Sequence, residues 1–561
     1  MGLKWRVVGV ALVVLVSAAS IVYATTRAPE ESRDRGEGPS LSEERQTFSR
    51  GAEPAEPIER ACKLPKEYLR RIERGYHRVH SEDVTFVPKE PNYWGSFDIV
   101  SHSGPWDYLQ TVPLVLYGPG YIVPQGAPLE EEASITDVYA TVERLLGASF
   151  DERTGSVLEG ALEPAPAEPP KVIFTIMWDG VGRNVLERWP NRWPTLARLE
   201  REGTSYLQAT VGSSPSITPA THASLATGAF PKDHEVVGIH MRNDNGKYRV
   251  VFSGGNPDDM KLTSYADQWD KANDNAPKVA LLAWRQWHMP MLGHGSQTPG
   301  GDKDVLALID GEAFVGGSPE WYRTPKYTKS HHDLFEEHAD ELDREDGKAD
   351  GLWRGNEIDG GREDNPAFVR YSGDLTMKML RRGGFGADDV PDLFLANYKQ
   401  TDIAGHSYTI DSPEVADNLK EQDVLLARIL DYLEAKVPGR YVVILTADHG
   451  HTKKATNTGA WPLEPVEFKA DIQRRFGVPS GVTLFQQTNP QGPLLNRNIM
   501  RRYGFTSRDV ANYLDHYTIR ENWPDGERLP EAYRSRGGER ILAGVWASRD
   551  FPKVLNCAFE N

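Results

Sequence analysis

The sequence predicts an α/β fold with a largely parallel central sheet and helices on both faces. Three observations predict it. Residues 172–177, 393–398 and 441–445 are short apolar runs rich in β-branched and aromatic side chains, the composition of strands buried on both faces. Helix-like stretches, 193–202 and 415–433, lie between them, and such alternation builds parallel sheets. Each apolar run leads into an acid: Asp179, Asp402 and Asp448. Ligands of such sheets bind outside the carboxyl ends of the strands, so all three acids are expected at one edge.

The remaining segments follow in chain order. Lys4 and Arg6 precede an uncharged run, so residues 1–26 read as a signal peptide or, if retained, a membrane anchor. As a helix the run reaches about 27 Å, close to a bilayer core of about 30 Å. Residues 27–61 are rich in Pro, Gly, Ser, Glu and Arg and are expected to be a disordered linker. The body is then expected outside the cytoplasm: secreted, periplasmic or membrane-anchored. A block at 62–150 is separated from 171–561 by a Pro/Ala/Glu-rich linker at 151–170.

Composition sets limits on function. The 561 residues are 39% apolar and 26% charged, which is globular. The 64 basic and 81 acidic side chains give −17, which argues against a nucleic-acid scaffold. Two cysteines exclude a disulfide framework and a four-cysteine zinc site, but permit one bridge.

Asp carboxylate and neutral imidazole suit zinc. Asp402 and His406 stand at i,i+4, so one helical turn presents both to one ion. Asp448 and His449 are adjacent, and Gly450 permits the sharp turn that lets both face an ion. A single strand-terminal Asp is usually a helix cap; three, two of them followed by His, are not. Thr218 has N-cap chemistry for a helix that starts with Pro219 and ends near Gly228. The positive end of that helix favours a phosphate. A threonine hydroxyl is a poor nucleophile at its free pKa, and zinc coordination is one way to activate it.

Together, FTIMWDG, SITPATHASLATGAFPKDH, NYKQTDIAGH and TADHG resemble the alkaline phosphatase superfamily, and most closely its type I phosphodiesterase/nucleotide pyrophosphatase branch. The resemblance implies an alkaline-phosphatase-like fold with a cap insertion at about 240–390. It implies two Zn2+ ions. Asp179, Thr218, Asp448 and His449 would hold one; Asp402, His406 and a further histidine would hold the other. That histidine normally follows the DHG motif. Here His451 and His516 lack the expected neighbours, whereas Ser101-His102-Ser103-Gly104-Pro105 and VPLVLYGPGYIVP carry them near the N-terminus. The resemblance therefore implies a circular permutant. In that order His102 would be the third ligand, 62–150 the displaced C-terminal part of the catalytic domain, and 171–561 its main part. In the family order Cys557 leads almost directly into Cys62, which implies a disulfide between them.

The implied function is an extracytoplasmic zinc-dependent hydrolase of small-molecule phosphoric esters, a phosphatase or phosphodiesterase, acting through a phosphothreonine on Thr218. Three departures bear on substrate. Glu235 replaces the family's usual Gly, Ile239 takes the usual Asn position, and Arg285 is the nearest equivalent of a Lys-x-Arg pair. Asn243 and Arg285 are the candidate substrate-binding residues. These departures keep open a catalytically inactive zinc-binding cell-surface protein, and the apolar N-terminus keeps open a phospho-headgroup transferase.

Overall fold

The computed structural model describes residues 56–164, 168–285, 288–310, 313–315, 318–328, 332–359 and 362–560. The expected leader at 1–26 and most of the linker at 27–61 lie outside them. Residues Ala55–Asn561 form one compact unit. Among the described residues no helix is long and apolar enough to cross a membrane.

The core is a ten-stranded sheet. In chain order its strands are β1 (Leu114–Tyr117), β2 (Leu129–Ser134), β3 (Val172–Trp178), β4 (Thr204–Thr210), β5 (Val279–Ala283), β6 (Asp304–Asp310), β7 (Ala313–Val315), β8 (Tyr322–Arg323), β9 (Asp392–Tyr398) and β10 (Tyr441–Thr446). They lie in the order β7-β6-β5-β9-β3-β10-β1-β4-β2, with β8 beside β6. From β6 to β10 the sheet is parallel. The three apolar runs are three adjacent strands of it, β9, β3 and β10, and each is wholly buried.

Register explains how the site is assembled. Trp178 at the end of β3 pairs with Tyr398 at the end of β9, and Met177 pairs with Thr446 at the end of β10. The three carboxyl ends are therefore level, and Asp179, Asp402 and Asp448 leave the sheet at one edge. β1 runs antiparallel to β10 and pairs Leu114 with Thr446, so β1 begins where β10 ends. The loop before β1, which carries His102, consequently arrives at that same edge.

Two expectations change. The 151–170 stretch is not a free spacer: Gly155 N–H donates to Gly228 O at 2.9 Å, and Val123 N–H to Ala161 O at 2.9 Å. Leu158 and Ala161 are buried in the main core, so the segment's few apolar residues dock it along the domain. The stretch expected as a cap, 240–390, contributes β5 and β6 to the central sheet. Its apolar run at 279–283 is a buried strand, so any cap is smaller than the resemblance implied.

The N-terminal block and the chain's last segments fold together. Strand Val84–Pro88 pairs with strand Leu542–Ala547. Cys62 and Cys557 form the implied disulfide, with Cα atoms 5.7 Å apart.

Candidate active site

Helix α1 (Thr218–Thr227) lies entirely in the interior. Gly228 ends it in the left-handed conformation, as expected. Its start differs by one residue: Ile217 is the cap, and Thr218 is the first helical residue. The Thr218 hydroxyl is used elsewhere. Lys399 Nζ, just after β9, donates to Thr218 Oγ1 at 2.8 Å and to Asp179 Oδ1 at 2.7 Å. The same ammonium lies 2.7 Å from Asp402 Oδ2. One buried cation thus joins the candidate nucleophile to two of the three strand-end carboxylates.

Asp179 Oδ2 accepts from Asn397 Nδ2 at 3.0 Å, and Asp448 Oδ1 accepts from the Gly180 N–H at 2.9 Å. Gly180 must be glycine. Its φ is +72°, and a Cβ there would sit 2.7 Å from the Asp402 Cβ. His449 Nδ1 donates to the Gly450 carbonyl at 3.0 Å. In the neutral tautomer its Nε2 is then a lone pair. That atom is buried without a hydrogen-bond partner, as is Asp448 Oδ2. Yet Nε2 stands 3.2 Å from Asp448 Oδ2, 3.6 Å from Asp179 Oδ1 and 3.9 Å from Asp402 Oδ1. Unpaired lone pairs facing carboxylates call for a cation between them.

Around Asp402, helix α2 (Gln400–Tyr408) presents His406 one turn on, with Nε2 at 3.5 Å from Asp402 Oδ2. His102 Nε2 is 3.7 Å from Asp402 Oδ1, and its ring stacks on His449 at 3.6 Å. His451 Nε2 is 2.6 Å from Asp402 Oδ1. Three groups of metal-ligand type therefore overlap: Asp179/Asp448/His449, His102/Asp402/His449 and Asp402/His406/His451, each with ligand atoms within 4.8 Å. Gly405 leaves room for this, since a Cβ there would lie 2.8 Å from His451 Nε2.

The electrostatics match a cation site. Burial and the neighbouring Asp448 push the Asp179 carboxyl well above its usual range. Burial works to raise Asp402 too, but Lys399, His406 and His102 hold it well below. Burial opposes a charge on His449, yet Asp448 raises it to about 9, so the carboxylates draw a positive charge to Nε2, either a proton or a metal ion in its place. Burial, and then His449, push His102 well down, while burial takes His451 to about 4, which keeps both rings neutral and available as ligands.

A family model, type I phosphodiesterase/nucleotide pyrophosphatase, matches residues 173–545, more than half of the chain. The chain belongs to this family. Of the expected metal ligands, only His102 lies outside the matched span. Among relatives of this family member, alkaline phosphatase PhoD of Zymomonas mobilis is 29% identical over 146 residues, covering 24% of this chain and 25% of that protein. Alkaline phosphatase PafA of Elizabethkingia meningoseptica is 21% identical over 341 residues, covering 52% of this chain and 62% of that protein. Both matches span less than two thirds of those proteins. The crystal structure of wild-type PafA is 18% identical, with TM-score 0.48, covering 68% of this chain and 85% of that one.

Sequence reasoning placed Asp179, Thr218, Asp402, His406, Asp448, His449 and His102, and the structure brings all seven together. It missed Lys399 and dismissed His451. Lys399 stands three residues before Asp402, a spacing that puts both on one helical face and was the available signal. The two substrate-binding candidates make these contacts. Asn243 Oδ1 accepts the Asn245 and Lys247 N–H groups and so shapes a hairpin turn. The Arg285 guanidinium stacks over Trp284 at 4.0 Å and lies 3.6 Å from Glu363.

Proposed function

We propose that the protein hydrolyses small phosphoric esters outside the cytoplasm, using Thr218 as nucleophile and two zinc-class cations. One observation carries this reading: Thr218 Oγ1 shares Lys399 Nζ with Asp179 and Asp402, so the nucleophile and both carboxylate clusters converge on one point. Asp179, Asp448 and His449 with Thr218 would hold one ion; Asp402, His406 and His102 or His451 the other. Bound there, the ions supply Lewis acidity and positive charge toward the phosphoryl oxygens.

The residues do the rest. Thr218 Oγ1 attacks phosphorus as its proton passes to water, the ester oxygen leaves from the opposite face and takes a proton from water, and a second water then hydrolyses the phosphothreonine to release phosphate and restore the hydroxyl. The Lys399 ammonium stabilises charge on Oγ1 as its proton departs. The Thr218 N–H and the positive end of α1 meet the nonbridging oxygens. The extracytoplasmic placement is supported by the Cys62–Cys557 disulfide. We also infer the circular permutation, supported by His102 and β1 reaching the site from outside the family-matched span.

The test is hydrolysis of aryl phosphate monoesters and diesters with zinc, for wild type and Thr218→Ala. The expected result is wild-type turnover on at least one substrate and a loss of at least about a thousandfold in Thr218→Ala. Unchanged activity in Thr218→Ala removes it as nucleophile. Inactivity of the wild type on both substrates favours the inactive scaffold or the transferase.

A further inference from the structure

A second group of imidazole and carboxylate side chains lies outside the active-site cluster. His77 and His80 come from the N-terminal block, and their rings stack at 4.4 Å. Glu235 and Asp244 come from the segment after α1. His80 Nδ1 stands 2.6 Å from the Arg242 carbonyl, which only accepts, so Nδ1 carries a hydrogen. Arg242 is itself held by Asp83 and by Gln486 at 2.6 Å, so the carbonyl is fixed. The other nitrogen, Nε2, faces carboxylate oxygens, so either a proton or a cation must lie between them. Nε2 points at Glu235 Oε2 at 2.8 Å and has Asp244 Oδ1 at 3.6 Å. His77 Nδ1 is buried beside them with no hydrogen-bond partner. The ligand atoms of His77, His80 and Glu235 lie within 4.8 Å of one another.

Glu235 is the telling residue. It follows the short helix Pro231–His234 with φ +69°, a conformation that favours glycine. Glycine is also what the family motif has there. A glutamate at that position bears backbone strain, and its carboxylate meets His80.

We propose that His77, His80 and Glu235, with Asp244 at the rim, bind a zinc-class divalent cation at a site separate from the catalytic one. Two imidazoles and a carboxylate are a zinc donor set, and the more exposed Asp244 or a water completes four-coordination. The cation would tie residues 77–80 to the support of the nucleophile helix, because His234, next to Glu235, bonds Ser224 of α1 at 3.0 Å. Its role is structural, and no catalytic step depends on it.

The test uses the full chain in an Asp402→Asn background, so that catalytic loading does not obscure the count. Zn2+ alone is the probe, with bound metal measured after desalting. Glu235→Gly suits the backbone, so loss of fold does not confound it, and His77→Gln is the second variant. Each is expected to bind one zinc ion fewer per chain than the background and to lose the zinc-dependent rise in Tm. In the otherwise wild-type chain, Glu235→Gly leaves aryl phosphate hydrolysis unchanged. Zinc content and Tm response equal to the background in both variants would overturn the site and leave a hydrogen-bonded His80–Glu235 pair.

Discussion

At Lys399 one buried ammonium serves two carboxylates and a hydroxyl at once. Burial alone would discharge it, but Asp179, Asp402 and Asp448 hold it charged, with its pKa above the usual lysine range. The clustered carboxylates outnumber the one ammonium, so the pocket attracts further positive charge. Lys399 has two opposed effects: it competes with a metal for the carboxylates, and it stabilises charge on Thr218 Oγ1. Lys399→Met is therefore expected to bind Zn2+ more tightly while kcat falls about a hundredfold. Titration calorimetry with zinc and steady-state kinetics read the two effects separately. Unchanged kcat would exclude Lys399 from the chemistry. The acids and histidines of the site were legible because metal-ligand residues recur at strand ends with short spacings. For Lys399 the spacing to Asp402 was a weak signal, since most lysines are solvated, and only the fold reveals that this one is buried. His451 was hidden for a different reason: the turn at His449-Gly450 folds it back onto Asp402, and no spacing rule anticipates that turn.

Among the elements, the helix Tyr265–Ala272 shows how one side chain serves two structures. Ser264 and Asp267 form a capping box at its start. Asp267 Oδ2 also accepts from His294 Nδ1 at 2.7 Å, while His294 Nε2 donates to the Met260 carbonyl at 2.8 Å. Both ring nitrogens are thus donors, which requires the imidazolium. Burial works against that charge, yet Asp267 raises His294 above 6.5; burial likewise opposes the Asp267 charge, yet His294 holds it below 3.8. The His294 contribution is full below 6.5 and fades as pH rises through its raised folded value. The Asp267 contribution is full above 3.8 and fades as pH falls through its depressed folded value. His294→Gln is expected to cost about 3 kcal/mol between those limits. Its Tm deficit is expected to shrink as pH rises above 6.5 and through the raised folded value of His294. Thermal melts of both proteins across that range check it; a deficit independent of pH would mean that His294 packs as a neutral ring. The buried parallel strands were far more legible than this pair. Their all-apolar runs have few alternatives, whereas Asp267 and His294 meet only through tertiary folding.

Within the described residues, segments far apart in sequence close the fold. Strand Val84–Pro88 lies against Leu542–Ala547, and the Cys62–Cys557 bond spans a sequence separation of 495 residues. So long a loop gives the bond a large effect on the unfolded chain, expected to stabilise the fold by a few kcal/mol. His102 was legible only through the resemblance, because nothing local to residues 62–150 shows that its loop ends beside β10. If the chain is a permuted member of its family, the joint at the cysteines and the crossing at 151–170 are interchangeable connections. A rearranged chain can then start at Glu168, run through Cys557 and a short linker into Cys62, and end at Pro164. It is expected to fold and to hydrolyse aryl phosphates within a few-fold of the native order, since closely placed surface connections tolerate such exchange. Replacing both cysteines by serine should lower the native Tm markedly. It should change the rearranged chain little, because the peptide linker already closes the same loop. Melting curves and activity of the four proteins decide it. An unfolded rearranged chain would refute the permutation, and equal losses of Tm in both orders would show that the disulfide acts on the native state rather than by closing the loop.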